Sequence, residues 1–391
     1  MSNSVMATNS QPIRAKADQR VRLLHLFLAL AFVLGCRLLL AAWMPDRHSN
    51  FDFLYQAAAR LVQGENPYPL PTQWFPYPLP AVLLAVPFTT MSLGLARPIF
   101  DVLVGWAFVY SLWRSRGSYA LLAVASGAYL MAMASGQTTP LMVAAALIPA
   151  LGFLSAVKPN TAAALWIGWP SLKTLLAAGL FLVLSLLVLP SWPWDWWLAL
   201  PVENTPLAPP ILRPFGFVLL LGALRWRVPD GRLFLAIAFI PQTTLPYELV
   251  PLALIPANRF EMGFYVVGTW IAVVAGEAFH LSSSTAQWNA TGWPVAVGAV
   301  YLPMLFLVLR RQKSRTPTKI QKDRRRPNRL ADEELQVDVA KDATGRVTVT
   351  VTHLPTRTST TESGPTRETA VRKAQDKLAG ILAERRRSAD A

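Results

Sequence analysis

Few side chains in this sequence could do chemistry, and most of them are carboxylates between apolar runs. There is no Walker A loop, no GxGxxG, no HExxH and no Cys/His pair at metal-ligand spacing. His25, His48, His280 and His353 are scattered, and the lone Cys36 lies inside an apolar run, which excludes an intrachain disulfide. No metal and no cofactor are expected. Among the acids before residue 310, Asp18 and Asp230 fall in segments read as cytoplasmic, Asp101 and Glu277 sit in apolar runs and Glu261 at a helix boundary, which leaves Asp46, Asp52, Glu65, Asp195, Glu203 and Glu248. Asp52 stands out because it falls in the first turn of a short amphipathic segment, where it could act as a general base or simply stabilise the helix dipole. Cations matter if the ligand is a phosphate. Lys158, in FLSAVKPNTAAALW, is a lone ammonium in an apolar setting, and Arg37, Arg47, Arg60 and Arg213 are the other candidates.

The elements that must position these residues are apolar. The chain is 53% hydrophobic and 15% charged, against about 25% charged in soluble proteins, which argues against a large soluble enzyme. Leu23–Met44 is long enough to cross a ~30 Å hydrocarbon core, and too long for the ~7–15-residue apolar region of a cleaved signal. Arg14, Lys16, Arg20 and Arg22 before it place the N-terminus inside. Further apolar runs predict about nine to thirteen membrane segments, several so short that they must be half-helices or re-entrant pieces buried in protein. Arg225, Arg227, Arg232 and the block from Arg310 to Arg329 read as cytoplasmic, whereas Arg114 and Arg116 fall outside on an alternating count. Either one hairpin there does not cross, or the charge rule fails at that loop.

Two connectors are too long to be plain loops. Residues 45–78 open with FDFLYQAAARLVQG, which predicts an interfacial helix capped by Asn50 and ended by Gly64. Its apolar face is Leu54, Ala58, Leu61 and Val62; its polar face is Asp52, Gln56, Arg60 and Gln63. A proline-rich stretch follows. Residues 191–211 carry Trp192, Trp194, Trp196 and Trp197, which fit an aromatic belt.

The organisation expected is therefore a cytoplasmic segment 1–22, a transmembrane domain 23–310, a basic linker 311–330 and a small cytoplasmic α+β tail 331–391. Residues 1–309 hold 17 Lys/Arg, and the much shorter remainder holds 20, so the positive charge does not by itself signal nucleic acid, and none is expected as a partner. In the tail, Leu335, Val337 and Val339 alternate, as do Val347, Val349 and Val351 after DATG, which predicts a hairpin. Thr366–Arg387 predicts an amphipathic helix with Val371, Ala374, Leu378 and Ile381 on its apolar side. The tail faintly resembles the hairpin-plus-helix domains of the HicB antitoxin type; its partner is unknown.

The run DFLYQAAARLVQGENPY, followed by FPYPLPAVLLAVPF, is similar to the first-loop signature of glycosyltransferase family 87. SGQTTPLMVAAAL at 135–147, AVKPNTAAAL at 156–165 and IPQTTLPYELVPLALIP at 240–256 resemble that family's Gly-Gln break, lysine-proline step and late Pro-Tyr segment, in the same order. The likeness implies an all-α polytopic membrane protein with a GT-C-like helical bundle and an external interfacial helix. It implies transfer of a hexose, commonly mannose, from a polyprenyl-phosphate donor to a lipid or glycan acceptor, at the external face of a bacterial plasma membrane. Asp52 then takes the catalytic aspartate position: with a lipid phosphate as leaving group, one carboxylate suffices as base, and direct displacement inverts the anomeric centre. Lys158 and Arg213 would stabilise the departing phosphate, with Gln137, Tyr247 and Glu248 as pocket members. The sequence departs from the family where only 20 residues separate Gln137 from Lys158, too few for two spans. Two other functions fit the composition: a transporter or flippase using the ionisable residues in apolar runs, although no internal repeat is found, and a non-catalytic scaffold presenting the tail.

Overall fold

The computed structural model describes residues 11–43, 49–68, 77–200, 208–243, 245–278, 292–311, 335–341, 347–353 and 358–364, and helical turns between 370 and 381. The prolines of 69–76, the segment 201–207 with Glu203, and the basic linker beyond 311 lie outside the described residues. The chain divides into two units, Met1–Lys313 and Ser314–Ala391.

Among the described residues, the regular elements of the first unit are all helical. Its α-helices are α1 (Gln11–Trp43), α2 (Asn50–Val62), α3 (Leu79–Ala85), α4 (Leu93–Arg116), α5 (Gly127–Ala134), α6 (Thr139–Leu147), α7 (Pro159–Gly168), α8 (Leu172–Val188), α9 (Trp192–Ala199), α10 (Pro229–Phe239), α11 (Arg259–Ala278) and α12 (Trp293–Arg310), the last holding a π-turn at Val297–Tyr301. Stretches of 3-10 helix, notably Val86–Thr90 and Pro246–Leu254, join them. By length and composition α4 and α12 can each cross a membrane, and up to four spans result if the bent pairs α5–α6 and α8–α9 each count as one. The nine to thirteen segments expected from hydropathy are thus not matched by helices of spanning length among the described residues. Proline explains the shortfall: it opens α6, α7 and the 246–254 stretch, so each apolar run restarts as a short helix in a new direction.

Burial is reversed relative to a water-soluble protein in several helices. The residues α8 buries are Thr174 and Ser185, while Leu172, Leu176, Leu180 and Leu187 are each more than 60% exposed. In α1 the buried residues Ala29, Val33 and Arg37 form one narrow stripe at helical spacing. That stripe meets α4 where Gly105 allows close approach; a Cβ there would lie 2.6 Å from Val33. Large contiguous apolar exposure of this kind marks a surface made for lipid or a partner.

The bundle has two unlike ends. At one, Arg116 covers the Trp169 ring at 5.0 Å, Arg232 donates to the carbonyls of Ile167 and Gly168, and Arg225 donates to Leu309. Arg311 there joins Asp230 at 3.1 Å and Glu261 at 2.7 Å. The position of Arg116 bears on the charge puzzle. Trp106 Nε1 donates to the Leu30 carbonyl and Arg37 pairs with Asp101, so α1 and α4 are antiparallel neighbours. Leu79–Thr90 between them falls short of a crossing, and the arginines at the end of α4 return to the end that holds the start of α1.

In the second unit, strands β1 (Leu335–Lys341), β2 (Val347–His353) and β3 (Thr358–Gly364) form an antiparallel sheet in that order. The expected hairpin is present, with Val337 opposite Val351 and Val339 opposite Val349. Val349 and Val351 pack under Ala370, Ala374 and Leu378 of the tail helix. The third strand, TSTTESG, was not expected, because it carries no apolar alternation. A hydrogen bond from Lys377 holds the Glu362 carboxyl of β3 below its usual range.

Candidate functional site

At the end opposite the arginines lies a cavity of about 520 Å³. Asn50 lines it from the first turn of α2, Ser135 and Gln137 from the α5–α6 break, Lys158 and Asn160 from the start of α7, and Tyr247 and Glu248 from the start of the 246–254 stretch. Tyr77, Gln242 and Thr243 complete its polar wall, and Trp196 of α9 and Leu200 just after it close one side. Four segments that the sequence singled out separately thus converge on one volume. Each presents the N-terminal end of a helix, where unpaired amides and the helix dipole favour negative charge.

Local sequence explains the convergence. Gly136 takes the left-handed conformation (φ +60°) that ends α5, and Pro140 follows to start α6, so the chain bends by 116°. A Cβ on Gly136 would lie 2.9 Å from Ser49 Oγ, and the Asn50 amide donates to the Ser135 carbonyl at 2.9 Å. The break and the start of α2 are therefore fastened together. α7 and the 246–254 stretch run from this end to the arginine end and α10 runs back, each in about ten residues, or roughly 15–20 Å. That is about half a bilayer core.

Inside the cavity, Lys158 Nζ donates to both Glu248 oxygens and to Thr139 Oγ1, all at 2.9 Å, and lies 5.5 Å from the Tyr247 ring centre. Thr243 Oγ1 donates to Glu248 at 3.3 Å. Gln137 is buried at the lining. Arg213 does not line the cavity: it donates to the Gln242 carbonyl at 2.7 Å and stacks over Trp293, one layer behind.

Asp52 is placed otherwise than its sequence context suggested. Periodicity assigned it to the polar face of α2, yet it is 3% exposed and does not line the cavity. Arg97 at the start of α4 forks onto its carboxylate, with Nε to Oδ1 at 2.8 Å and Nη2 to Oδ2 at 2.6 Å. The Ser49 amide and hydroxyl donate to the remaining lone pairs at 2.9 and 3.0 Å. The N-cap is Ser49 rather than Asn50, and Asn50 is thereby free to face the cavity. Val62, expected on the apolar face, is 61% exposed, while Gly64 ends the helix with φ +80° as expected.

Sequence reasoning missed Arg97, Asn160, Gln242 and Tyr77. Arg97 left a signal: it stands four residues before Asp101, one helical turn, in a run otherwise without charge. The others are polar residues beside prolines, which pattern alone does not raise. In comparisons with family models, with characterised proteins and with solved structures, no match was found. The resemblance to glycosyltransferase family 87 therefore stands on the quoted motifs.

Proposed function

We propose that this chain is an integral membrane glycosyltransferase. It takes a hexose, mannose by the resemblance, from a polyprenyl-phosphate donor and passes it to a lipid or glycan acceptor with inversion. The observation that carries the reading is the convergence of the four ordered landmarks, each at a helix N-terminus, on one cavity that also holds Lys158. Helix starts and an ammonium suit an anionic head group, while Asn50, Gln137, Asn160, Tyr77 and Trp196 offer the amides and aromatic faces that suit a hydroxylated ring. The arginine end is then cytoplasmic by the positive-inside rule, and the cavity opens toward the external half of the membrane.

In this reading the acceptor oxygen attacks the anomeric carbon, the bond to the phosphate oxygen breaks, and a carboxylate takes the hydroxyl proton. Asp52, which the resemblance nominates, can do this only once Arg97 releases it; Glu248 already faces the cavity. The transporter alternative drew on ionisable residues in apolar runs, and two of these, Arg37 and Asp101, form an ion pair at 2.9 Å. The test is transfer in proteoliposomes containing the full chain, a membrane lipid and glycan extract, and polyprenyl-phosphate sugars labelled in the hexose. Label is expected in the acceptor fraction, with polyprenyl phosphate released in equal amount. Neither transfer nor donor cleavage with mannose, glucose or galactose donors overturns the reading.

A further inference from the structure

Lys158 is the one cation lining the cavity among the described residues, and its charge is already matched by Glu248. An anionic head group entering this space must take the ammonium from that carboxylate. We infer that Lys158 and Glu248 form an exchangeable ion pair, opened when the phosphodiester head of a prenyl-chain lipid takes the Lys158 ammonium and leaves Glu248 facing the cavity. This deepens the function proposed above and rests on it only for the choice of ligand.

Three features favour exchange over a fixed structural pair. The ammonium is a point charge on a flexible stem, able to follow a new partner without the directional loss a guanidinium fork would suffer. Glu248 keeps a donor when the ammonium leaves, since Thr243 Oγ1 lies 3.3 Å from Oε1. The helix starts around the cavity give an incoming phosphate a second source of positive potential, which offsets the pair it breaks. A lipid rather than a free phosphate is favoured by α9. Its Trp196 lines the cavity, whereas Trp194, Trp197 and Leu198 on its other side are each 65% exposed. One short helix thus separates the ammonium from an apolar exterior along which a prenyl chain can lie.

The test uses the full chain in nanodiscs of phosphatidylcholine and measures binding of farnesyl methyl phosphate, a singly charged diester, by calorimetry. Lys158→Met is expected to weaken binding by about tenfold or more, whereas Glu248→Gln tightens it by about tenfold by removing the competing anion. Glu248→Asp, with a shorter reach to the ammonium, falls between wild type and Glu248→Gln and keeps the test open should the Gln variant unfold. Dimethyl phosphate is expected to bind at least about tenfold more weakly than the farnesyl probe, because it has no chain to bury. Weaker or unchanged binding by both Glu248 variants overturns the exchange, as does unchanged binding by Lys158→Met; equal binding of the two probes overturns the lipid assignment. The expected binding pattern without any sugar transfer would remove the transferase reading and leave the exchange standing. Sugar transfer by a wild-type protein whose Glu248 variants bind no tighter would do the reverse.

Discussion

Asp52 and Glu248 are two carboxylates in nearly the same local setting and with opposite prospects. Each lies in the first turn of its helix, each is less than a tenth exposed, and each faces a cation within 3 Å. The difference is in what surrounds the pair. Asp52 receives four hydrogen bonds, two from a planar guanidinium fork and two from Ser49, and does not line the cavity. Glu248 shares one ammonium, has a long contact to Thr243 and lines the cavity. Bidentate Arg–carboxylate pairs are rigid and directional, whereas an ammonium is easily re-partnered. Position in a helix therefore says little about a carboxylate's role; the identity of its counter-ion and its access to open space say more.

The widest separation between the two corners is expected in turnover, given the proposed transfer. Glu248→Gln should lower the rate at saturating donor by about 10²–10⁴, the usual worth of a positioned base. Thermal unfolding of that variant should be nearly unchanged, because the amide can still accept from Lys158. Asp52→Asn should instead lower the unfolding temperature, with turnover per folded molecule largely kept. The opposite pattern, activity lost in a well-folded Asp52→Asn and kept in Glu248→Gln, would return the base role to Asp52 and require the Arg97 fork to open during the reaction.

Stability separates the corners next. Arg97→Met strands a buried carboxylate beside an apolar side chain, and breaking such a pair costs about 3–5 kcal/mol. Lys158→Met strands Glu248 too, but beside a cavity that water can enter, and should cost less than half as much. Unfolding in detergent, followed by circular dichroism, measures both. Equal losses would erase the distinction drawn between a closed corner and an open one.

Much of this was legible in the sequence, but unevenly. The four landmark segments were visible as motifs, and their order was readable; their convergence was not, because it depends on the 116° bend at Gly136 and on half-length helices that hydropathy cannot tell from full spans. The tail hairpin was legible because Val337, Val339, Val349 and Val351 alternate on one face, whereas β3 was invisible because its inward positions are Thr360 and Glu362. Asp52 was misplaced for a similar reason. Helical periodicity assigns a carboxylate to the polar face unless its counter-ion is known, and Arg97 comes from another helix 45 positions away.

The link between the corners can be probed at Gly136. Alanine there must adopt φ near +60° and push against Ser49 and the Phe51 amide, at an expected cost of about 1–3 kcal/mol. Because the same contact carries Asn50 to the cavity, farnesyl methyl phosphate binding should weaken together with stability. Loss of stability with unchanged binding would uncouple α2 from the cavity.

The smallest effect expected is at Tyr55, whose hydroxyl donates to the Met91 carbonyl at 2.7 Å and ties α2 to the chain just before α4. Tyr55→Phe keeps the ring, and with it the tilted contact to Phe51, and removes only that bond. One partly buried hydrogen bond is worth about 0.5–1.5 kcal/mol in water and averages nearer 0.6 within a bilayer, so the unfolding temperature should drop slightly. The tie lies on the Asp52 side, three residues along α2, and none of its atoms reaches the cavity lining. If the Asp52 corner is only scaffold, Tyr55→Phe leaves both turnover and probe binding at wild-type values. A tenfold loss of turnover from so small a structural change would mean that α2 must hold a narrow position during the reaction, and would place Asp52 among the reacting groups after all.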